Sequence, residues 1–437
     1  MYLPTYILNI YFSTQIYYFE LKFHICRMGC GVPISRSRAS TEIDGLSELS
    51  LSSKHKNDSG TRTSEVQPSH LRHEVPRRSM EGLEEQIKAT IYGQCIGDAI
   101  GLLTEFMSKT VVRKHYGKLR ELEFSHKVSD GHRDRWDVGD WTDDSDHMIL
   151  IMQSLTDMRG KVSPVDFAKK LYDWSQKGFV ELGDRVGMGL GRTTHEILSQ
   201  RKYVSNPQET AKDIWIKRGR TDAPNGAVMR TSILGIHEWW DVAKVAKNAA
   251  VICQASHYDP RCQASAVAVS VAISIMFQKK KQHYDDKARR YDVKRIITDA
   301  YSLASKYVDE ETVKPELLWY MSCTDIRSLK LDDEDTMGYT FKCLGAGFWA
   351  LKQNDFRTAI EQLVREGGDA DTNCAVAGAL LGCKISTRKA FPETWFSDLA
   401  NRMWLREQIQ RYIDIHNRMY CDALNDQGSR HPLGSQY

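Results

Sequence analysis

The amino-acid sequence predicts an all-α protein: a single compact multi-helix domain with a disordered N-terminal region. Three observations predict it. From Leu83 onward most segments have apolar residues at helical spacing and over helical lengths. Credible alternating strands are few. No internal repeat is present. Of the 437 residues, 41% are hydrophobic and Gly and Pro are not in excess, so the chain has enough apolar side chain for one large domain or two ordinary ones.

Residues 1–27 are aromatic-rich, but Pro4, Asn9, Gln15, Glu20 and Lys22 interrupt them, so they lack the basic start and clean apolar run of a signal peptide. Met28-Gly29-Cys30 could be an alternative start, although Pro33 stands where a myristoylation site wants Ser or Thr. Residues 35–80 are rich in Ser, Thr, Arg, Lys and His and cannot bury enough surface to offset ordering entropy. Residues 1–80 are therefore expected to be a disordered leader, and residues 83–415 the folded domain. Within it, residues 146–155 place Met148, Ile151, Met152 and Leu155 on one helical face. Residues 242–255 are rich in Ala and Val. Residues 264–277 are apolar almost all round, which suits a central buried helix. The run Phe356–Glu366 is a further helix, ended by Gly367-Gly368. Residues 374–382 form a helix of mostly small side chains. Residues 416–437, with Asp426, Gly428 and Pro432, are expected to be a loose C-terminal tail.

Sixty basic residues against fifty-seven acidic ones leave a net charge of +3, so no broad cationic face exists and nucleic acid is not an expected partner. Ten cysteines include no C-x-x-C pair, and most sit in apolar surroundings. They read as reduced, buried thiols, and a cytoplasmic location is expected. No run of 18 apolar residues exists, so no transmembrane segment is expected.

Two acidic clusters carry the chemistry. In Trp141-Thr142-Asp143-Asp144-Ser145-Asp146, three acids open a helix. Capping explains one of them. Adjacent Asp143 and Asp144 repel unless a cation sits between them. In Gly367-Gly368-Asp369-Ala370-Asp371-Thr372-Asn373, two acids and a hydroxyl follow a flexible glycine turn. A cap with a tight helix pair, or a metal centre, would explain this cluster too. Hard cations such as Mg²⁺ take oxygen ligands of this kind, and two such clusters suit a two-metal site. A third segment, Gly97-Asp98 to Glu105, would put both acids on one helical face. Asn225-Gly226 before Ala227-Val228-Met229-Arg230 either exposes backbone N–H groups to a phosphate or is an ordinary turn. His257, in Ser256-His257-Tyr258-Asp259-Pro260, either touches a phosphate or ribose or caps a helix.

These five segments, in this order and spacing, resemble the ADP-ribosylglycohydrolase family, and within it most nearly the dinitrogenase reductase-activating glycohydrolases. The likeness spans the expected domain. It implies an all-α fold of that type with two Mg²⁺ ions, Mn²⁺ being possible. By the resemblance Thr142, Asp143, Asp144, Asp369, Asp371 and Thr372 are metal ligands. Glu105, Asp144 and Asp371 are the catalytic candidates, Glu105 lying on a loop beside the metals. Asp98, Asn225, Gly226 and His257 are expected to face substrate, and Tyr339 to stack on the adenine. One departure stands out. Where the family often carries Asp-Val-Gly-Asn-Thr, this chain has Gly189-Leu190-Gly191-Arg192-Thr193, and Asp184 is the nearest acid to replace the missing one.

The expected reaction is hydrolysis at the anomeric carbon of an ADP-ribose joined to a protein side chain, arginine preferred, or to another conjugate. Two rivals are a catalytically silent ADP-ribose binder and a two-metal phosphodiesterase, which would release AMP. The second usually needs histidine-rich ligands, and none cluster here.

Overall fold

A computed structural model describes residues 74–309 and 311–429. Residues 1–73 of the leader, with its alternative start, and residues 430–437 lie outside the described residues; its last residues, from Glu74, are described and pack on the domain, with Val75 N donating to Gln427 and Arg78 N to the Tyr420 hydroxyl. The helices run α1 (Met80–Gly101), α2 (Lys109–Tyr116), α3 (Asp143–Asp157), α4 (Pro164–Lys177), α5 (Arg192–Leu198), α6 (Pro207–Lys217), α7 (Ser232–Ile236), α8 (Val242–Cys253) and α9 (Pro260–Gln278). After a two-residue hairpin of β1 (Tyr284–Asp285) and β2 (Arg290–Tyr291) come α10 (Val293–Ala304), α11 (Val313–Ser322), α12 (Thr340–Leu351), α13 (Phe356–Glu366), α14 (Ala370–Ile385), α15 (Glu393–Ser397) and α16 (Arg402–Ser429). The domain is all-α, as the periodicity predicts; the hairpin is its one sheet among the described residues.

Short polar side chains start many of these helices by accepting the free N–H groups of the first turn. Ser163 precedes Pro164 and accepts from Asp166 N; Asp259 precedes Pro260 and accepts from Arg261 N; Asp355 accepts from Thr358 N. The acidic turn at Asp143 starts α3 three residues earlier than periodicity alone suggests, because Thr142 takes the cap.

The centre of the domain is the pair α1 and α14. Their backbones nearly touch. A Cβ added at Gly97 would fall 2.1 Å from the carbonyl oxygen of Cys374, and one at Gly378 would fall 2.0 Å from that of Gly93. Small residues at both surfaces permit this approach, as the composition of residues 374–382 suggests. Helices α12, α13 and α9 pack around the pair. In α9, every residue from Cys262 to Gln278 is buried. It is long and apolar enough to span a membrane, yet 89% of its apolar window lies inside the domain. Among the described residues seven cysteines are buried and free, and Cys421 is exposed.

One expectation at the C-terminus is corrected. Residues 416–429, expected in the tail, continue α16, with His416 and Tyr420 about 1% exposed. Tyr412, His416 and Tyr420 recur every fourth residue and turn inward, and Tyr420 donates to the Pro76 carbonyl. The polar outer face and Gly428 hide this stripe from composition.

Candidate metal centre and active site

The two acidic turns meet. The glycines at 367 and 368 hold φ of 72° and 70°, a left-handed region open to glycine. A side chain at Gly368 would also collide with the Leu331 carbonyl, 1.9 Å from its Cβ. This turn aims Asp369, Asp371 and Thr372 from the start of α14 at the start of α3. Across the gap, Thr372 Oγ1 donates to Asp144 Oδ1 at 3.0 Å, and Thr142 Oγ1 lies 3.2 Å from Asp371 Oδ2. Ligand atoms of Asp98, Asp144 and Asp371 lie within 4.8 Å of one another, as do those of Glu105, Asp369 and Asp371. Asp371 belongs to both groups.

Burial pushes the carboxyl pKa values of Asp143, Asp144 and Asp371 well up, and that of Asp369 up, with repulsion from the neighbouring carboxylates adding to it. Among the described residues, no Lys or Arg forms an ion pair with any of these four side chains. Asp371 Oδ1 is buried without a hydrogen-bond partner. An anionic oxygen left so is costly unless a cation takes it. The donor set is carboxylate and hydroxyl oxygen throughout, which suits Mg²⁺ or Mn²⁺ and not a thiolate-seeking metal.

A pH dependence follows for the metal-free chain. These carboxyls hold protons more tightly folded than unfolded, so the folded state binds more protons and loses stability as pH rises. For Asp98 the loss runs from the ordinary value of 3.8 up through about 6, and for its neighbours it extends higher. The melting temperature in chelator is expected to be higher at pH 5.5 than at pH 8 (both values set by that window, roughly). Divalent cation should restore more stability at the higher pH. A flat profile between the two would count against the acidic cage.

Glu105 does not share a helix face with Asp98. Helix α1 stops at Gly101 because the chain must turn past α14, and Glu105 follows in a tight turn. That turn is tied to the second metal turn. Phe106 N donates to Gly368 O at 2.6 Å, and Gly368 N donates to Met107 O at 2.8 Å. The buried guanidinium of Arg133 donates to the backbone oxygens of Leu103 and Glu105. His132 Nε2 stands 2.6 Å from Glu105 Oε2, and Arg135 Nη2 stands 2.6 Å from His132 Nδ1. An arginine only donates, so His132 accepts at Nδ1 and donates from Nε2 to Glu105. Sequence reasoning missed His132 and Arg133. The run His132-Arg133-Asp134-Arg135 reads as a solvated loop, and no spacing rule links it to an acid 27 residues earlier.

Asp98 is placed differently from expectation. It is fully buried, and both oxygens are taken by Thr142 N, Thr142 Oγ1 and Ser145 N. It holds the first metal turn from beneath and is closed to substrate. Asp184 is not brought to the cluster. Its carboxylate accepts from Phe179 N at 2.9 Å and packs on Gly178, so it closes a local turn and does not replace the missing acid. Instead Gly189 of the divergent segment lies against the Asp143 carboxylate. Asp143 itself lies outside both three-carboxylate groups, though its charge couples to Glu105, Asp98 and Asp369.

The substrate-side residues gather on the other flank. Asn225 Nδ2 donates to Asp369 Oδ2 at 2.8 Å. The ring of His257 lies against Gly226, where any Cβ would come within 2.9 Å of its Cε1 and Nε2. Tyr339 pairs with Pro224 beside this loop, with its hydroxyl donated to Glu316 and the Arg261 guanidinium 5.8 Å from its ring centre.

The family model described as ADP-ribosylglycohydrolase matches residues 79–423. An uncharacterized protein of Archaeoglobus fulgidus is 26% identical over 341 residues, covering 77% of this chain and 99% of its own. The ADP-ribosyl-[dinitrogen reductase] glycohydrolase of Rhodospirillum rubrum is 23% identical, covering 74% of this chain and 92% of its own. The ADP-ribosylarginine hydrolase Tri1 of Pseudomonas putida is 23% identical, covering 76% and 78%. A solved structure titled ADP-ribosylglycohydrolase-related protein complex shares the fold, with a TM-score of 0.54 at 20% identity over 77% of this chain and 99% of that one. By the extent of the family match, and with its acidic turns joined in one cluster, this chain belongs to the ADP-ribosylglycohydrolase family.

Proposed function

We propose that the protein is a magnesium-dependent hydrolase that removes ADP-ribose from a modified protein side chain, arginine preferred, by cutting the bond at the anomeric ribose carbon. One observation carries the proposal: two acidic turns, from Thr142 and from Asp369, close into an all-oxygen cluster with an unpartnered Asp371 oxygen at its centre. The preference for arginine rests on the likeness to the ADP-ribosylarginine hydrolase of Pseudomonas putida.

Asp143, Asp144, Asp369 and Asp371, with the hydroxyls of Thr142 and Thr372, would hold the two Mg²⁺ ions, Asp371 serving both, while Asp98 braces the first turn and Glu105 stands beside the second. Bound there, Mg²⁺ would supply Lewis acidity, orienting ribose hydroxyls and acidifying a water. Glu105 would take the proton of the attacking water, with its Oε2 fixed by His132. Leaving-group departure builds positive charge on the sugar, which the surrounding carboxylates stabilise. Asn225, Gly226 and His257 would grip the diphosphate and ribose, and Tyr339 would flank the adenine.

The test is a panel of arginine-, serine- and acetyl-linked ADP-ribose substrates, assayed with Mg²⁺ and with chelator. Free ADP-ribose should appear from the arginine conjugate with Mg²⁺ alone, and calorimetry should count two ions bound. Release of AMP, or turnover that persists in chelator, would overturn the reading.

A further inference from the structure

Beneath the Asn225-Gly226 loop lies a polar group that the mechanism above does not use. Arg230 is fully buried, its guanidinium stacked 4.9 Å from the centre of the Phe167 ring. Among the described residues no carboxylate reaches ion-pair distance of it, although the Asp143 charge acts on it through space. Its Nη1 donates to Gly226 O at 3.0 Å, its Nη2 donates to Ser256 Oγ at 2.6 Å, and its Nε has no partner. A buried cation with no counter-charge in contact is expensive, and the cost falls if an anion arrives nearby.

Ser256 passes this contact on. Its Oγ lies 2.7 Å from His257 Nδ1, and Ser256 is 1% exposed. A guanidinium has only donors, so the serine oxygen accepts from Arg230. The serine hydrogen then needs an acceptor. His257 Nδ1 is the acceptor within reach. The opposite arrangement, Nδ1–H donating to Ser256, would strand a buried hydroxyl hydrogen. His257 therefore carries its ring proton on Nε2. That edge of the ring faces Gly226, the position where a side chain would cover it.

We infer that Arg230 and Ser256 are positioning residues: together they fix His257 as an Nε2–H donor and hold the Gly226 peptide beside it, forming a clamp for an acceptor oxygen of the substrate's diphosphate. The inference rests on the reading of this cleft as an ADP-ribose site. The neutral partners and bare Nε of Arg230 favour a phosphate oxygen over a ribose hydroxyl. Burial together with Arg230 and Arg218 lowers the His257 pKa well below its ordinary range, which agrees with a ring that holds one proton.

The test uses the full chain with ¹⁵N-labelled histidine, and the variants Ser256→Ala and Ser256→Thr. In the metal-free parent, the His257 ring should show a protonated Nε2 and an unprotonated Nδ1. Ser256→Ala should leave a mixture of tautomers and Ser256→Thr should restore the single one. With arginine-linked ADP-ribose and Mg²⁺, Ser256→Ala should raise KM about tenfold to a hundredfold while kcat changes less than about threefold, the pattern of lost ground-state binding. Ser256→Thr should recover most of the affinity. A parent ring protonated at Nδ1 overturns the inference, and so does an unchanged KM in Ser256→Ala. A parent that releases no ADP-ribose fails the functional reading instead, and the ring tautomer still judges the clamp.

Discussion

Replacing Asp371 by Asn is expected to cut turnover at least about a thousandfold, because removing metal-borne charge stabilisation forfeits several kcal/mol at the transition state. The reason lies in the shared position of Asp371. Its carboxylate belongs to both three-acid groups, and its Oδ1 is the buried oxygen without a partner. An amide there leaves each ion one charge short. Asp369→Asn touches a single group and should be milder. The fold should not suffer. Asp371 is pushed well up by burial and by repulsion from Glu105, Asp144 and Asp369, so the neutral isostere relieves strain in the metal-free chain. Its melting temperature in chelator should equal or exceed the parent's. Loss of activity together with cooperative unfolding near the parent's midpoint supports the cage. Near-parental turnover in the variant would remove it.

The second large effect is structural. Gly378→Val is expected to destabilise the domain by at least about 3 kcal/mol, since overpacking a fitted core costs that order when backbone must move. Its Cβ would sit 2.0 Å from the Gly93 carbonyl, on the seam of the central helix pair. Gly378→Ala makes the sharper comparison. In an exposed helix the change would stabilise by about 1 kcal/mol. Here the same methyl meets backbone, so the sign should reverse. Urea midpoints of the three proteins measure this directly. A gain in stability from Gly378→Ala would mean that α1 and α14 are not in contact as described.

Much of the site was legible because its residues announce themselves by type and crowding. Asp143 and Asp144 side by side, and Asp369 with Asp371 after two glycines, need a reason that capping cannot fully supply. The end of α13 was equally plain, since Gly367 and Gly368 both demand a left-handed backbone. What stayed hidden depends on partners. An acid at the end of a helix looks the same whether it faces substrate or supports a neighbouring turn, so Asp98 was misplaced until its three N–H and O–H donors were seen. Nearness in sequence sets Asp184 beside the divergent segment but says nothing of the direction its turn takes. His132 acts through a contact that exists only once the chain has folded back. The last helix was missed because its inward stripe of Tyr412, His416 and Tyr420 is diluted by charged residues between.

The joining of α1 to α14 also bears on how the protein is made. The two helices at the heart of the domain are separated by most of its length, so the loop between them closes late, after the contacts of α9 with α8, α10 and α7 are already possible. A chain still emerging from the ribosome holds Asp98 and Asp144 without Asp371, and has no partner for the glycine face of its first helix. The domain is thus expected to fold as an indivisible unit, after synthesis has passed residue 385, with that bare helical face a natural client surface for chaperones until then.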